Sequence, residues 1–326
     1  MSNEAIWVTW ERQVRNASLS SRLGVPLHVI ESSRGRLSRY AVCCARTFRL
    51  LLRHRPKVVF CQNPSIVLNY FLLIMRPFFS FTVVSDCHFA GVVACNESPL
   101  IQKLLDLCNR SVDLAIVTNP AHAAYIEGVG GRAAICPDPL PTLSPASSPG
   151  PEARAVLFIC SYDVDEPFRQ VFEAAAQLYD EGFRFMATGN YAKAGIDPAR
   201  YPSVTFTGYL PVQAYHELLL KSAVIVDLTE NDNCLVCGAY EAMAAEVPLV
   251  TSDTACLRGY FTAGTLFTPH DPAGIARAVR TAFAEGESLR REIRAWKPGA
   301  EAGLAESIAA IRSRVGMRDN EDRKGS

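Results

Sequence analysis

Net charge, a leader-like start, metal-ligand spacing and a disulfide framework are all missing from this chain, and each absence excludes something. The 326 residues hold 33 Lys+Arg and 33 Asp+Glu, so no bulk charge selects a partner. An arginine-rich arm, a zinc module and a helix-turn-helix signature are absent, and no nucleic acid is expected to bind. The opening residues MSNEAIWVTW lack the basic stretch and apolar core of a secretion signal, which implies a cytoplasmic protein. No His/Cys cluster has metal spacing and no Asp-x-Asp with a flanking strand stands out, so neither a metal nor another cofactor is expected. The 11 cysteines are scattered, mostly in apolar runs, and read as buried free thiols. Cys234 and Cys237 form a CxxC with no second pair to complete a metal site.

What is present is an alternation. Short apolar strands are expected at 6–9 (IWVT), 27–30, 58–61, 81–85 and 113–117, with helices at 15–23, 100–109 and in the stretches between. Residues 66–84 are apolar enough to suggest a membrane span, but Arg76-Pro77 is expected to break them into a helical and a strand-like half. Residues 137–151, rich in Pro and Ser, read as a linker. The alternation then resumes: strands at 156–159, 184–188, 204–207, 223–228 and 248–251, helices at 167–179, 212–220, 233–245, 272–285 and 301–315. Strands of four to six residues alternating with helices predict parallel sheets covered on both faces. The expected architecture is α/β, with two doubly wound, Rossmann-like domains facing across a cleft. The boundaries are 1–140, a linker at 141–151, 152–300, a helix at 301–316 that packs back on the first domain, and a disordered tail at 317–326.

The segment 223–253, AVIVDLTENDNCLVCGAYEAMAAEVPLVTSD, carries the most chemistry. A β-branched strand runs into a polar loop and then a helix, for which Asn231, Asp232 and Asn233 are N-cap candidates. The helix N-terminus suits a diphosphate. Gly238, Cys237 and Cys234 fall on the face of Glu241, whose carboxylate can accept two hydrogen bonds from a ribose diol. A capped helix with Glu241 as an ordinary surface acid is the bland alternative. The run GAYEAMAAEVPLVTSD resembles the donor motif of retaining glycosyltransferases such as family 4, the glycosyl transferases group 1, which have the GT-B fold. In that motif a glutamate, seven intervening residues and a second glutamate precede AMA.

That resemblance implies that Glu241 holds the nucleotide ribose. It also implies that the preceding loop, with Asn233, Cys234 and Leu235 before Gly238, holds the donor sugar of a nucleotide sugar. The sequence departs from the motif at three places. Asn233 stands where the first glutamate is usual, and Glu246 where a Gly follows the helix. Pro167 stands where a lysine faces the leaving diphosphate, which leaves Arg169 as the nearest cation. Asn190, in the TGN after a strand, is a further donor-side candidate.

In the first half, SDCHFAG at 85–91 places His88 past a strand end. The resemblance implies that such a histidine sits beside the transferred sugar, with Asp86 orienting its ring; a structural loop histidine is the alternative. Arg12 and Arg15, beside Trp10, and Asn63, after VVFC, are acceptor-side candidates.

Charge is also uneven along the chain. Residues 1–140 hold 15 Lys+Arg against 9 Asp+Glu, and residues 34–57 hold eight Lys/Arg and no acid. That stretch forms either an amphipathic helix on an anionic membrane surface or a helix packed on the sheet with solvated arginines. The function this implies is transfer of a sugar from a nucleotide sugar to a polysaccharide or lipid-linked acceptor. Such an enzyme would be retaining and metal-independent, peripheral on the inner face of the cytoplasmic membrane, and involved in polysaccharide or cell-envelope biosynthesis. A sugar-nucleotide epimerase of the same fold and a non-catalytic partner are the alternatives.

Overall fold

The structure, a computed structural model, describes residues 4–33, 35–94, 98–145, 150 and 152–317. The chain divides into two units, Met1–Pro139 with Ala302–Ser326, and Leu140–Glu301.

The first unit contains one all-parallel sheet. Its strands are β1 (Ala5–Thr9), β2 (Leu27–Val29), β3 (Val58–Asn63), β4 (Thr82–Cys87), β5 (Leu114–Val117) and β6 (Ala133–Ile135), in the order β2-β1-β3-β4-β5-β6. The helices are α1 (Val14–Leu23), α2 (Arg36–His54), α3 (Ile66–Phe79), α4 (Phe89–Val92), α5 (Pro99–Ser111) and α6 (Pro120–Gly128). Successive strand residues alternate between two apolar layers. Ile6, Val8, Val59 and Val83 pack with Leu51, Leu68 and Leu72 of α2 and α3, and Trp7 and Phe60 stack on the opposite face with Leu19 and Leu23 of α1. Pro77 lies inside α3 and does not break it, contrary to expectation. Near a helix end Pro removes only one backbone bond. The stop comes at Ser80, which turns left-handed at φ 55°.

The second unit repeats the plan. Its strands are β7 (Ala155–Phe158), β8 (Arg184–Thr188), β9 (Val204–Gly208), β10 (Val224–Asp227), β11 (Leu249–Ser252) and β12 (Thr265–Thr268), ordered β12-β11-β10-β7-β8-β9 and all parallel. The helices are α7 (Phe168–Leu178), α8 (Val212–Lys221), α9 (Cys237–Ala245), α10 (Ala255–Tyr260) and α11 (Pro272–Ala284). α7 and α11 cover the face carrying Val156, Phe158 and Val226, while α8, α9 and α10 cover the face carrying Leu157 and Ile225.

The last helix, α12 (Gly286–Arg314), is longer than the expected 301–315 and continues through Pro298. Its end belongs to the first unit, where Leu304 and Ile311 join the α1 layer and Arg312 donates to the Leu23 carbonyl at 2.7 Å. Residues 140–145 of the expected linker pack on the second unit: Leu140 and Leu143 join its core, and the Ser144 N–H donates to His216 at 2.9 Å. From residue 318 the tail expected to be disordered lies outside the described residues.

Candidate functional site: two switch points

In an open parallel sheet, ligands bind beyond the carboxyl ends of strands where the strand order reverses. In the second unit that point lies between β7 and β10, whose following loops are 159–167 and 228–236. Asp165 ties the two loops together. Its Oδ2 accepts from Thr229 Oγ1 at 3.0 Å and Asn231 Nδ2 at 2.6 Å, and its carbonyl accepts from the Glu230 N–H at 2.7 Å. Glu166 folds the first loop on itself by accepting from the Ser161 and Asp163 N–H groups and from the Ser161 hydroxyl, all near 3.0 Å. Gly189, at φ 81°, brings the loop after β8 against the first one. A Cβ there would lie 2.0 Å from the Cys160 carbonyl oxygen, so only glycine fits.

The helix after β10 differs from expectation at its start. α9 begins at Cys237, not Asn233, so Asn233, Cys234 and Leu235 lie in the preceding loop and none of Asn231, Asp232 and Asn233 is its N-cap. The reason is Asp227, the last residue of β10, which reaches up and accepts the Gly238 N–H at 2.7 Å. A buried carboxylate from the strand end does what a capping side chain would do. A Cβ on Gly238 would sit 2.4 Å from Asp227 Oδ2, so this glycine makes room for the carboxylate and does not open the helix to a ligand. Burial, reinforced by Glu166 and Glu241, pushes the Asp227 carboxyl well above the usual range. The N-terminus of α9 is therefore partly occupied and is not the open anion site expected.

Glu241 lies in the second turn of α9, half-buried, and accepts a hydrogen bond from the Tyr215 hydroxyl of α8. Burial raises its pKa and the Tyr215 bond opposes that rise. Tyr215 lies in the run VTFTGYLPVQAYHELLLKSAVIV, which resembles the family's approach to the donor site, but it is not among the expected site residues; the packing of α8 on α9 brings it to Glu241. Glu246 occupies the left-handed C-cap of α9 at φ 57°, where glycine is usual. It is held there from α12, with Arg294 and Lys297 on its carboxylate at 2.8 and 2.9 Å and Arg290 on its carbonyl at 2.9 Å.

Cations are scarce around this switch point. Arg169 is exposed in the first turn of α7, its guanidinium over the Phe168 ring at 5.4 Å. Lys193, in the short turn Tyr191–Ala194 after β8, pairs with Asp163. Asn190, exposed, opens the same turn. Residues 159–169, 190–193 and 227–241 together carry seven carboxylates against these two cations. Asp163-Val164-Asp165 is in fact an Asp-x-Asp soon after β7, a pattern expected to be missing. Its two carboxylates diverge, one to Lys193 and one to Thr229 and Asn231. Among the described residues no group of three or more His, Cys, Asp or Glu side chains has metal-binding geometry.

In the first unit the strand order reverses between β1 and β3. There Gln62 Oε1 accepts from Thr9 Oγ1 at 2.6 Å and Asn16 Nδ2 at 2.9 Å. Asn63 is fully buried and spends its amide on the Gly91 carbonyl and Asn109, both at 3.1 Å, so it is not an acceptor-side group. Arg12 lies outside, paired with Glu31 at 3.0 Å.

Arg15 is the buried cation. It clamps Asp86 from Nε and Nη2 at 2.8–3.1 Å, pairs with Asp138, and donates to the Cys136 carbonyl at 3.1 Å. Asp86 belongs to β4 and is fully buried. It therefore serves Arg15, and His88 Nε2 stands 3.7 Å from its Oδ2, beyond a hydrogen bond. Burial lowers the His88 pKa, opposed by Asp86 and helped by Arg15, and so disfavours the protonated ring.

Comparison with known proteins bears on the second unit's sequence and on the fold of both units. Residues 153–285 match the model of the glycosyl transferases group 1, a stretch that includes α7, α8 and α9. No curated protein matches the sequence. Among solved structures, the HepE protein of Anabaena in complex with UDP-glucose is 11% identical with a TM-score of 0.70, covering 95% of this chain and 99% of that one. The sucrose-phosphate synthase of Thermosynechococcus elongatus is 15% identical at 0.69, covering 95% and 98%. An assigned UDP-N-acetylglucosamine 2-epimerase of Listeria monocytogenes is 13% identical at 0.64, covering 97% and 98%. Identities this low carry the fold alone, and the sequence match lies within the second unit. Residues 153–285 are similar to the glycosyl transferases group 1, and the chain is a glycosyltransferase of GT-B fold.

Proposed function

We propose that this chain transfers a sugar from a nucleotide-sugar donor to a glycan or lipid-linked acceptor at a membrane surface, with retention of configuration and without a metal. The supporting observation is Glu241: a half-buried carboxylate on α9, inside the matched stretch, prepared by Tyr215 to accept hydrogen bonds. It receives the ribose diol of the nucleotide, while the loops after β7 and β10 surround the donor sugar, with Asn233 and Asn190 as neutral partners for its hydroxyls. Lys193 joins Arg169 as a cation for the leaving diphosphate once Asp163 releases it. A UDP-glucose complex of the similarly folded HepE supports a nucleotide sugar as donor. Neutral His88 positions the acceptor, and the departing phosphate takes the acceptor's proton. Polysaccharide or envelope synthesis is the setting this chemistry suits.

The test is a thermal-shift screen of UDP-, GDP-, ADP- and CMP-sugars, followed by a transfer assay on the donor that stabilises. A true donor raises the melting temperature by mass action. The proposal fails if no nucleotide sugar stabilises the wild type, or if Glu241→Ala binds the donor as well as wild type does. One observation favours a second reading, a donor-binding partner without turnover: the excess of carboxylates around the donor loops, with Pro167 at the lysine position. Tight binding with neither transfer nor hydrolysis, lipid acceptors present, establishes that reading. Conversion of the free donor sugar, followed by NMR, reports epimerisation in the same samples.

A further inference from the structure

On the first unit, α2 and α3 leave a hollow of about 470 Å³ between their C-terminal halves, lined by Phe48, Leu52, Arg55, Met75, Phe78 and Phe79. Phe79 packs edge-on against Phe48 at 5.8 Å, which fixes the floor. The lip is apolar and open: Phe78 is 75% exposed, Ile74 60% and Leu52 47%. Large apolar side chains this exposed and this close together mark an interaction surface.

The surrounding charge says what kind. Phe48 and Leu52 lie on one stripe of α2 at i and i+4, and Arg55 is the left-handed residue that caps the helix beside them; exposed Arg46, Arg49 and Arg53 form the next stripe of α2, one residue out of phase. Neither α2 nor α3 contains a single Asp or Glu. The nearby cation of α3, Arg76, is engaged by Asp113 at 3.3 Å, and Arg46 reaches the Glu31 carbonyl at 2.9 Å. Arg55 therefore lines the hollow with positive charge, Arg49 and Arg53 add to it from the neighbouring stripe of α2, and no carboxylate on either helix opposes them. No described helix is long and apolar enough to cross a membrane, so the surface can lie on a bilayer but not span it.

We infer that the α2–α3 face is a docking surface for an anionic phospholipid bilayer. Phe78, Ile74 and Leu52 enter the acyl boundary, the hollow admits the upper part of an acyl chain, and Arg49, Arg53 and Arg55 meet the phosphates. This gives the expected membrane contact of residues 34–57 a second half, contributed by α3. It rests on the proposed membrane-borne acceptor for its purpose only, because binding is measured without donor or acceptor.

The experiment is cosedimentation of the full chain with vesicles of phosphatidylcholine alone, or of phosphatidylcholine with phosphatidylglycerol, at low and high salt. Binding is expected only with phosphatidylglycerol, and to fall as salt rises. Arg49→Glu with Arg53→Glu should weaken it at least about twentyfold, from roughly fivefold per surface cation. Phe78→Ser should weaken it at constant charge. Both variants change exposed positions, and an unaltered melting temperature verifies that each is folded. Equal binding to neutral vesicles, absence of binding, or variants that bind like wild type would overturn the inference. A concentration-dependent dimer abolished by Phe78→Ser, with no vesicle binding, would assign the face to a second copy instead. Nucleotide-sugar binding by a chain that ignores vesicles would leave the transferase proposal intact.

Discussion

Glu241 and Tyr215 form a coupled acceptor and donor, and their coupling has a measurable consequence. A carboxylate must be ionised to take both ribose hydroxyls. Burial raises the Glu241 pKa above its usual 4.5, so donor affinity should fall as the pH is lowered through that raised value. The hydrogen bond from Tyr215 lowers this pKa, so Tyr215→Phe should move the midpoint of a Kd-versus-pH titration upward. Calorimetry of the donor complex across pH would show it, and an unmoved midpoint would sink the coupling. At neutral pH, Glu241→Gln keeps the shape and loses the charge. Hydrogen bonds to a charged group contribute about 1.5–3 kcal/mol, so donor affinity should drop at least tenfold. Arg15 poses the opposite case. Arg15→Met would leave Asp86 buried without its cation and should cost about 3–5 kcal/mol in urea unfolding. The expected ribose role of Glu241 came from a local motif, which a short window can display. Arg15 stood beside Arg12 in the sequence with nothing to say which was buried; its partners are 71 and 123 residues away.

The termini of α9 show why element boundaries elude a linear reading. Three polar residues before the helix looked like caps, yet the acceptor that limits its first turn is Asp227 from the strand. Gly238→Ala should therefore destabilise the second unit well beyond a helix-propensity effect, because the added methyl would displace that carboxylate. At the other end, Glu246 sits left-handed, a conformation costing roughly 1–2 kcal/mol for a residue with a Cβ. Glu246→Ala keeps that cost and loses Arg294 and Lys297; Glu246→Gly loses the same partners but relieves the backbone. Thermal unfolding should rank glycine above alanine, and the reverse order would mean that the cap geometry is not what the side chain serves.

For the whole molecule, the informative element is α12, which starts in the second unit and ends in the first. A chain cut after Glu301 loses Leu304 and Ile311 from the layer beside α1, together with the Arg312 bond to Leu23. Calorimetry of that chain should show the first unit melting earlier while the second keeps its transition. A single unshifted transition would contradict the assignment of α12 to the first unit.

By itself the sequence determined the alternation of strands and helices, the two parallel sheets and the donor motif around Glu241. Each of these is written in hydrophobic period or in a run of neighbouring residues, so it needs no knowledge of distant partners. Only the tertiary structure decided that Asp86 serves Arg15 and not His88, that Asn63 is walled in, that Asp165 links the loops after β7 and β10, and that Tyr215 faces Glu241. Those pairings join residues brought together by strand order and helix packing, and a buried charge chooses its partner by distance in space, not along the chain.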